Sequence, residues 1–296
     1  MSIAVVGSLN QDIVARVERH PLPGETVLSH GHFVAPGGKG GNQAVAAARL
    51  GQSVAMVGRV GADAAGRDMV AALLADGVDV THVLTDEGAT GVALITLDDA
   101  GENAIVVSPG ANARLTAADV EDAAPLVSAA SVVLLQLEVP LEAVAAAAAL
   151  ATGTVVLNPA PARPLPASLL ERITVLVPNR SELGILAGQE EPHDVAAAAA
   201  LASRVAPTVV VTLGEDGAIL VRGDDYLHVP APPVVPVDTT AAGDAFCGAL
   251  ADGMARGHPL DEAVRWAVAA GAAATTRLGA QPSLPSRRHV ESLLGA

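Results

Sequence analysis

The feature that most limits what this chain can become is its rhythm. Short apolar runs bounded by turn residues alternate with longer, alanine-rich stretches of helical spacing. IAVVG (3–7), SVAMVG (53–58), VVLLQLE (132–138), TVVLN (154–158), TVLVPN (174–179) and TVVVTLGEDG (208–217) read as strands, the last running into a turn. Between them, 64–77, 140–151, 180–188 and 192–206 read as helices. Runs that are apolar on both faces suit strands covered from both sides. Their alternation with helices predicts an α/β fold, a doubly wound, mostly parallel sheet with helices on both faces. Two segments break the rhythm. Residues 13–35 alternate polar and apolar side chains around a Pro-Gly turn, and 90–107 read as strand, DDAGEN turn and strand. Both predict antiparallel hairpins. Inserted in one α/β domain spanning 1–296, they are expected to meet as a small β lid, and pairing of two such lids gives a route to a homodimer.

Composition narrows the partners. Acids outnumber bases 32 to 17, for a formal charge of −15, which opposes binding to nucleic acid or an anionic membrane by bulk electrostatics. Aromatics are 1% of the chain, too few for a base-stacking platform. Any phosphate site must therefore be local, built from main-chain N–H groups and a few placed cations. The single cysteine, Cys247, allows no intrachain disulfide, fits a reducing, cytoplasmic setting and reads as a small buried helix residue. No run of about 18 apolar residues is uninterrupted, so no membrane span is expected.

Ligands of open α/β sheets bind beyond the carboxyl ends of the strands. The chemically suggestive residues gather there: Asn10 and Asp12 after the first strand, Glu138, Asn158, Asn179 and Glu182 after later ones, Gly214 and Gly217 after 208–212. PGGKGGNQAVAAARLG (36–51) is a Gly-rich turn entering a helix. It is neither a Walker A loop, since Gly40 follows Lys39, nor a dinucleotide fingerprint, since Gln43 stands where a small residue is needed. Its glycines let the backbone approach a polyhydroxylated ligand closely, while Lys39 and Asn42 add directed hydrogen bonds. In PVDTTAAGDAFCGA (236–249), Asp244 follows three small residues where a helix begins. An acid there suits an ordinary helix start, with Asp238, Thr239 or Thr240 as cap, and the small residues Ala241, Ala242 and Gly243 leave the N–H groups of that tip free to meet an anion.

These residues, taken together, resemble the ribokinase (PfkB) family of carbohydrate kinases. The resemblance is carried by GGKGGNQAVAAARLG (37–51) and DTTAAGDAFCGAL (238–250), with GSLNQD, NPAPA, PNRSE, TLGEDG and GAQPSLP at matching places nearly end to end. It implies transfer of the γ-phosphoryl group of ATP to a primary sugar hydroxyl, the 5-hydroxyl of D-ribose. It implies Asp244 as base; Asn10, Asp12, Gly38, Lys39, Asn42 and Glu138 around the sugar; Asn179 and Glu182 supporting Mg²⁺ and phosphate; and Thr212, Gly214, Gly217 and Gly243 along the nucleotide. It further implies K⁺ held by Asp238, the Thr240 carbonyl, Ala274, Arg277, Gly279 and Ser283. Ala245, Cys247, Val268, Arg180 and Ser181 depart from residues common in the family. A sibling kinase acting on fructose, ketodeoxygluconate or a nucleoside, and a sugar sensor without catalysis, are the alternatives.

Overall fold

The computed structural model describes residues 2–100 and 102–295; residue 101, in the expected DDAGEN turn, and both terminal residues lie outside it. The main sheet has nine strands: β1 (Ser2–Val6), β4 (Ser53–Gly61), β5 (Asp79–Asp86), β8 (Val132–Leu135), β9 (Thr154–Leu157), β10 (Val175–Leu176), β11 (Thr208–Thr212), β12 (Ala218–Arg222) and β13 (Asp225–Val229). Their spatial order is β13-β12-β11-β10-β9-β8-β1-β4-β5. Every pair from β5 to β11 is parallel, and β12 and β13 add an antiparallel edge. The expected fold class holds. The expected strand at 132–138 ends at Leu135, so Glu138 lies in the following turn, and the one at 174–179 shrinks to two residues. Pro178 has no N–H for a ladder, and Asn179 is drawn into capping the next helix.

Strand periodicity sorts the core. Ile3 and Val5, with Val132 and Leu134, face one layer together with α1 (Lys39–Arg49), α2 (Ala64–Ala75), α9 (Ala242–Ala255), α10 (Leu260–Ala274) and α11 (Arg287–Leu294). Ala4 and Val6, with Val133 and Leu135, face the other. That layer holds α3 (Ala117–Asp122), α4 (Ala124–Ala129), α5 (Leu141–Leu150), α6 (Ala167–Leu170), α7 (Arg180–Ala187) and α8 (Val195–Ala202). Alanine dominates the helix contacts; α9 and α10 bring Gly253 against Ala263 so closely that a Cβ at 253 would lie 2.9 Å from the Ala263 Cβ.

The second sheet has order β3-β2-β6-β7, with β2 (Asn10–Arg16), β3 (Gly31–Gly37), β6 (Gly91–Leu97) and β7 (Asn103–Ser108). Both hairpins are antiparallel as expected, and they meet along a parallel β2–β6 seam. The strands run further than 13–35 implied. β2 starts at Asn10, so Asn10 and Asp12 belong to the lid rather than to the end of the first main strand. Alternation gives the lid two faces. Asp12, Ala35 and Ala93 are buried on one side, while Val34, Leu94 and Val106 are exposed on the other, in register across the sheet with Ile13. Among the described residues no helix is long and apolar enough to cross a membrane.

Candidate active site

β1 is flanked by β8 on one side and β4 on the other, so the chain's winding reverses at this point of the sheet. Beyond the carboxyl ends of these strands, and under the lid, lies a cleft of about 430 Å³. Asn10, Asp12, Gly38, Lys39, Asn42, Glu138, Asn179, Glu182, Thr212, Thr240, Ala241, Gly243 and Asp244 all line it, together with Asn158 and Cys247. The lid adds Ala93, Ile95, Asn103, Ile105 and Val107, which sequence reasoning did not single out.

Asp244 sits in the first turn of α9 and is 6% exposed. None of Asp238, Thr239 or Thr240 caps this helix. The cap position is Ala241, at φ 59°, the one non-glycine residue in the left-handed region among those described. Such a conformation costs on the order of 1–3 kcal/mol and recurs at functional sites. Ala242 N–H donates to Thr239 O at 3.2 Å, closing the tight turn. The expected amide cradle therefore narrows to Ala241, Gly243 and the Asp244 N–H itself, which are without main-chain partners among the described residues. Gly243 is exposed to the cleft, and a Cβ there would meet nothing within 4 Å.

Asn42 Nδ2 donates to Asp244 Oδ2 at 2.9 Å, and Gln43 Nε2 donates to Oδ1 at 3.1 Å. Asn42 Oδ1 is buried without a partner among the described residues. Burial raises the Asp244 carboxyl above its ordinary range, against the pull of Lys39, Asn42 and Gln43. Burial, reinforced by Glu138 and Asp244, pushes Asp12 up to about 7. Burial alone depresses Lys39, but Asp244, Glu138 and Glu182 outweigh it and raise the ammonium. Cys247 is driven well above the usual thiol range by burial, so it is a buried neutral thiol rather than a nucleophile.

The Gly-rich turn explains itself locally. Gly38 has φ 82°, and a Cβ there would lie 2.6 Å from Asn10 N; at Gly40 it would lie 2.6 Å from Ser8 N. Only bare Cα atoms allow this approach. Glu138 accepts from Lys39 N–H at 3.1 Å and from the Ser8 hydroxyl, which ties the turn after β8 to the start of α1. Asn112, in a 3₁₀ turn after the lid, donates to Leu9 O and Asn10 Oδ1 and accepts from Leu9 N–H. Asn10 is thereby held with its Nδ2 left for a ligand.

Asn179 and Glu182 form a reciprocal capping box at the start of α7, with Glu182 N–H on Asn179 Oδ1 at 2.7 Å and Asn179 N–H on Glu182 Oε2 at 2.8 Å. Glu182 Oε1 stays without a partner among the described residues. Burial raises this carboxyl, against the Asn179 hydrogen bond and Lys39. Gly214 and Gly217 are outside the cleft lining. Gly217 is buried at φ 86°, and a Cβ there would overlap the Val229 carbonyl oxygen, so packing accounts for it. Val268 is buried in the core at 4% exposure. Arg180 pairs with Asp216, joining the start of α7 to the turn after β11.

Asp238 accepts from Thr240 N–H at 2.9 Å and from Gly279 N–H at 2.7 Å, pinning the 277–283 loop to the segment before α9. Asp238, Thr240 and Gly279 line a small cavity of about 10 Å³ beneath the lid. Ala274 O accepts from Arg277 N–H, and the Ser283 hydroxyl donates to Ala280 O. Of the residues expected around K⁺, Asp238, Thr240 and Gly279 line this cavity while Ala274, Arg277 and Ser283 do not, and no cluster of three or more His, Cys, Asp or Glu able to hold a metal occurs among the described residues.

Residues 1–287 match the pfkB family carbohydrate kinase pattern. The chain is 39% identical over 300 residues to the ribokinase of Haemophilus influenzae, covering 99% of this chain and 98% of that protein. The crystal structure of a Thermotoga maritima ribokinase superposes with TM-score 0.90 at 36% identity, covering 100% of this chain and 99% of the other. An Arabidopsis thaliana ribokinase complexed with ribose and ATP superposes with TM-score 0.89 at 33% identity, covering 99% and 98%. With two signature segments converging on one cleft and a match along nearly its whole length, this chain belongs to the pfkB family of carbohydrate kinases.

Proposed function

We propose that the protein transfers the γ-phosphoryl group of ATP to the 5-hydroxyl of D-ribose. The observation that carries this reading is the shared cleft. A buried carboxylate at the tip of α9 faces the same space as Asn10, Asp12, Lys39, Asn42 and Glu138, a set of donors and acceptors matched to sugar hydroxyls. The relatives named above support the sugar and the nucleotide.

Phosphoryl transfer asks mainly for alignment and charge stabilisation. Asn10, Asp12 and Glu138 orient the sugar, and Asn42 Oδ1 takes a further hydroxyl. Asp244, its two oxygens steadied by Asn42 and Gln43, accepts the proton of the attacking hydroxyl as the new P–O bond forms. The free N–H groups at the tip of α9 face the phosphoryl oxygens, and Lys39 adds a charge. Glu182, whose Oε1 has no partner among the described residues, would help to hold Mg²⁺, which would supply positive charge against the phosphates. K⁺ would lie among Asp238, the Thr240 carbonyl and the 274–283 loop, where Asp238 already joins the two segments. A cytoplasmic setting follows from the need for ATP. The row Val34, Ile13, Leu94 and Val106 suits a second lid, and we expect a homodimer, measurable by sedimentation of the parent and of Leu94→Asp.

The test is ATP consumption against a panel of D-ribose, 2-deoxyribose, fructose, ketodeoxygluconate and adenosine, each with and without Mg²⁺ and K⁺. Ribose should lead the panel by at least an order of magnitude in kcat/KM. A higher kcat/KM for another acceptor reassigns the substrate, and binding of ribose without turnover favours a sensor.

A further inference from the structure

Behind Asp244 lies a chain of side-chain amides of which the reaction as described uses only the nearest, Gln43. Gln43 and Gln136 are both fully buried. Gln43 Nε2 donates to Asp244 Oδ1 at 3.1 Å and to Asn158 Oδ1 at 3.3 Å. Gln136 Nε2 donates to Gln43 Oε1 at 2.7 Å, and Asn158 Nδ2 donates to Val177 O at 2.9 Å. Each bond fixes the sense of the next. Asn158 must turn its oxygen to Gln43 because its nitrogen is taken by a main-chain carbonyl. Gln43 must turn its nitrogen to Asp244 because its oxygen is taken by Gln136. The chain crosses the carboxyl ends of β8, β9 and β10 and ends on α9, and its one loose end is Gln136 Oε1, buried without a partner. A Cβ at Gly7 would overlap that oxygen, so the bare Cα of Gly7 makes the room Gln136 occupies.

We propose that Gln43 is a positioning residue for the proton acceptor: held from behind by Gln136, it fixes the Asp244 carboxylate in orientation and in its ionised form. An unmade bond on a buried polar side chain costs about 1–3 kcal/mol, so a buried chain of amides with every bond made but the one at Gln136 Oε1 holds its members in one sense. A neutral donor suits the task. It stabilises the charged carboxylate without forming an ion pair that would weaken it as a base. The inference rests on the kinase reading for its kinetic consequences, but not for the titration it predicts. The other charged and titratable groups facing Asp244 are Lys39 from α1, Glu138 from the turn after β8, Glu182 from α7, Asp12 from the lid and Cys247 from its own helix. None is altered by the substitutions below.

Gln43→Met keeps the volume and removes the donor. Loss of a hydrogen bond to the charged form raises the carboxyl, so the acid limb of kcat/KM against pH should move upward by about one pH unit. At neutral pH kcat should fall about tenfold to a hundredfold, with the KM values for ribose and ATP within about twofold of the parent. Gln136→Met leaves Gln43 in place but frees it to turn its oxygen toward Asp244; it should move the limb the same way by about half as much. Thermal melts identify any variant that fails to fold. ¹³C-carboxyl titration of the ligand-free chain, with Asp244 assigned by difference from Asp244→Asn, gives the same answer without turnover. An upward shift in both variants supports the proposal. A fall in kcat with an unmoved acid limb and an unmoved carboxyl titration overturns it. If the parent turns over none of the sugars, the ribose reading falls while the carboxyl titration still decides the role of Gln43.

Discussion

Around Asp244, Asn42 and Gln43 are buried and hold both carboxylate oxygens, whereas the turn Gly214 to Asp216, just outside the cleft beyond Thr212, stands in solvent with Arg180 and Asp216 paired at its edge. The two regions make different demands. Proton transfer in an in-line displacement tolerates little displacement of the acceptor, and a misplacement of 1 Å can cost about a hundredfold in rate. Hence the carboxylate is locked from two sides. On the proposed reading a nucleotide beside this turn would need only to be admitted and released, a task that main chain and an open surface can serve. The strained Ala241 lies at the junction between them, turning the chain from the exposed 236–240 segment into the buried helix.

If the locked end does the chemistry, the largest loss comes from Asp244→Asn. Turnover should fall about 10²–10⁴-fold while ATP binding by calorimetry and the melting temperature stay near the parent's. Near-normal turnover would remove the proton acceptor and with it the reason for the lock. Next comes Gly243→Val. A Cβ there meets nothing within 4 Å beyond its own helix, so the melting temperature should change little. The branched group would stand over the free N–H groups at the tip of α9, and kcat should drop about a hundredfold. A variant with intact kcat would relocate the anion site away from α9.

How far this contrast could be read from sequence depends on whether a signal is local. The alternation of strand and helix marked the main sheet because buried parallel strands have a continuous apolar pattern. The two hairpins marked themselves by their turns. Their parallel seam left no mark, since β2 and β6 lie some 80 residues apart and pairing at that distance has no local signature. For the same reason Asn10 and Asp12 read as ends of a main strand when they open a lid strand. The antiparallel edge β12–β13 went unread although its turn residues, Gly223 and Asp224, were in view. In the cleft, Lys39, Asn42 and Asp244 were legible because they sit in Gly-rich or Ala-rich surroundings with no packing reason for them. Gln43 was visible only as a residue that spoiled a different motif. Gln136 lay unremarked inside the expected strand VVLLQLE, and Asn112 drew no expectation at all; their roles arise from partners about 100 residues away. At Gly217 the sequence alone could not separate two demands, since a glycine expected along a nucleotide also stands where a Cβ would overlap Val229 O.

The sugar end can be sharpened by pH. Asp12 is raised from its ordinary value to about 7, chiefly by burial. Between about pH 4 and 7 the folded chain then holds a proton that the unfolded chain has released, so stability falls as pH rises through that window and levels off above it. Asp12→Asn should gain on the order of 2–4 kcal/mol at pH 8 and nothing at pH 4, read from denaturant melts. The charged form is the one that accepts two or more sugar hydroxyls. The ribose Kd should therefore weaken about fivefold from pH 7 to 6 in the parent and stay weak and flat in the variant. A parent Kd independent of pH would mean that Asp12 binds sugar as a neutral acid.

The open end supplies the smallest effects and the test most able to break the contrast. Gly214 and Gly217 both have positive φ, 63° and 86°, and differ in what surrounds them. Nothing lies within 4 Å of a Cβ at Gly214, so Gly214→Ala should cost only the left-handed backbone penalty, about 1–2 kcal/mol. At Gly217 the Cβ would press on Val229 O, and on Ala231 N at 2.6 Å, adding about 1–3 kcal/mol of overlap. Melting temperatures should thus order parent, Gly214→Ala, Gly217→Ala, while the ATP KM of the folded Gly217→Ala protein stays within about twofold. The reverse result, a tenfold rise in ATP KM with little change in melting, would give the turn after β11 a shaped nucleotide cradle. That turn would then be as closely built as the end around Asp244.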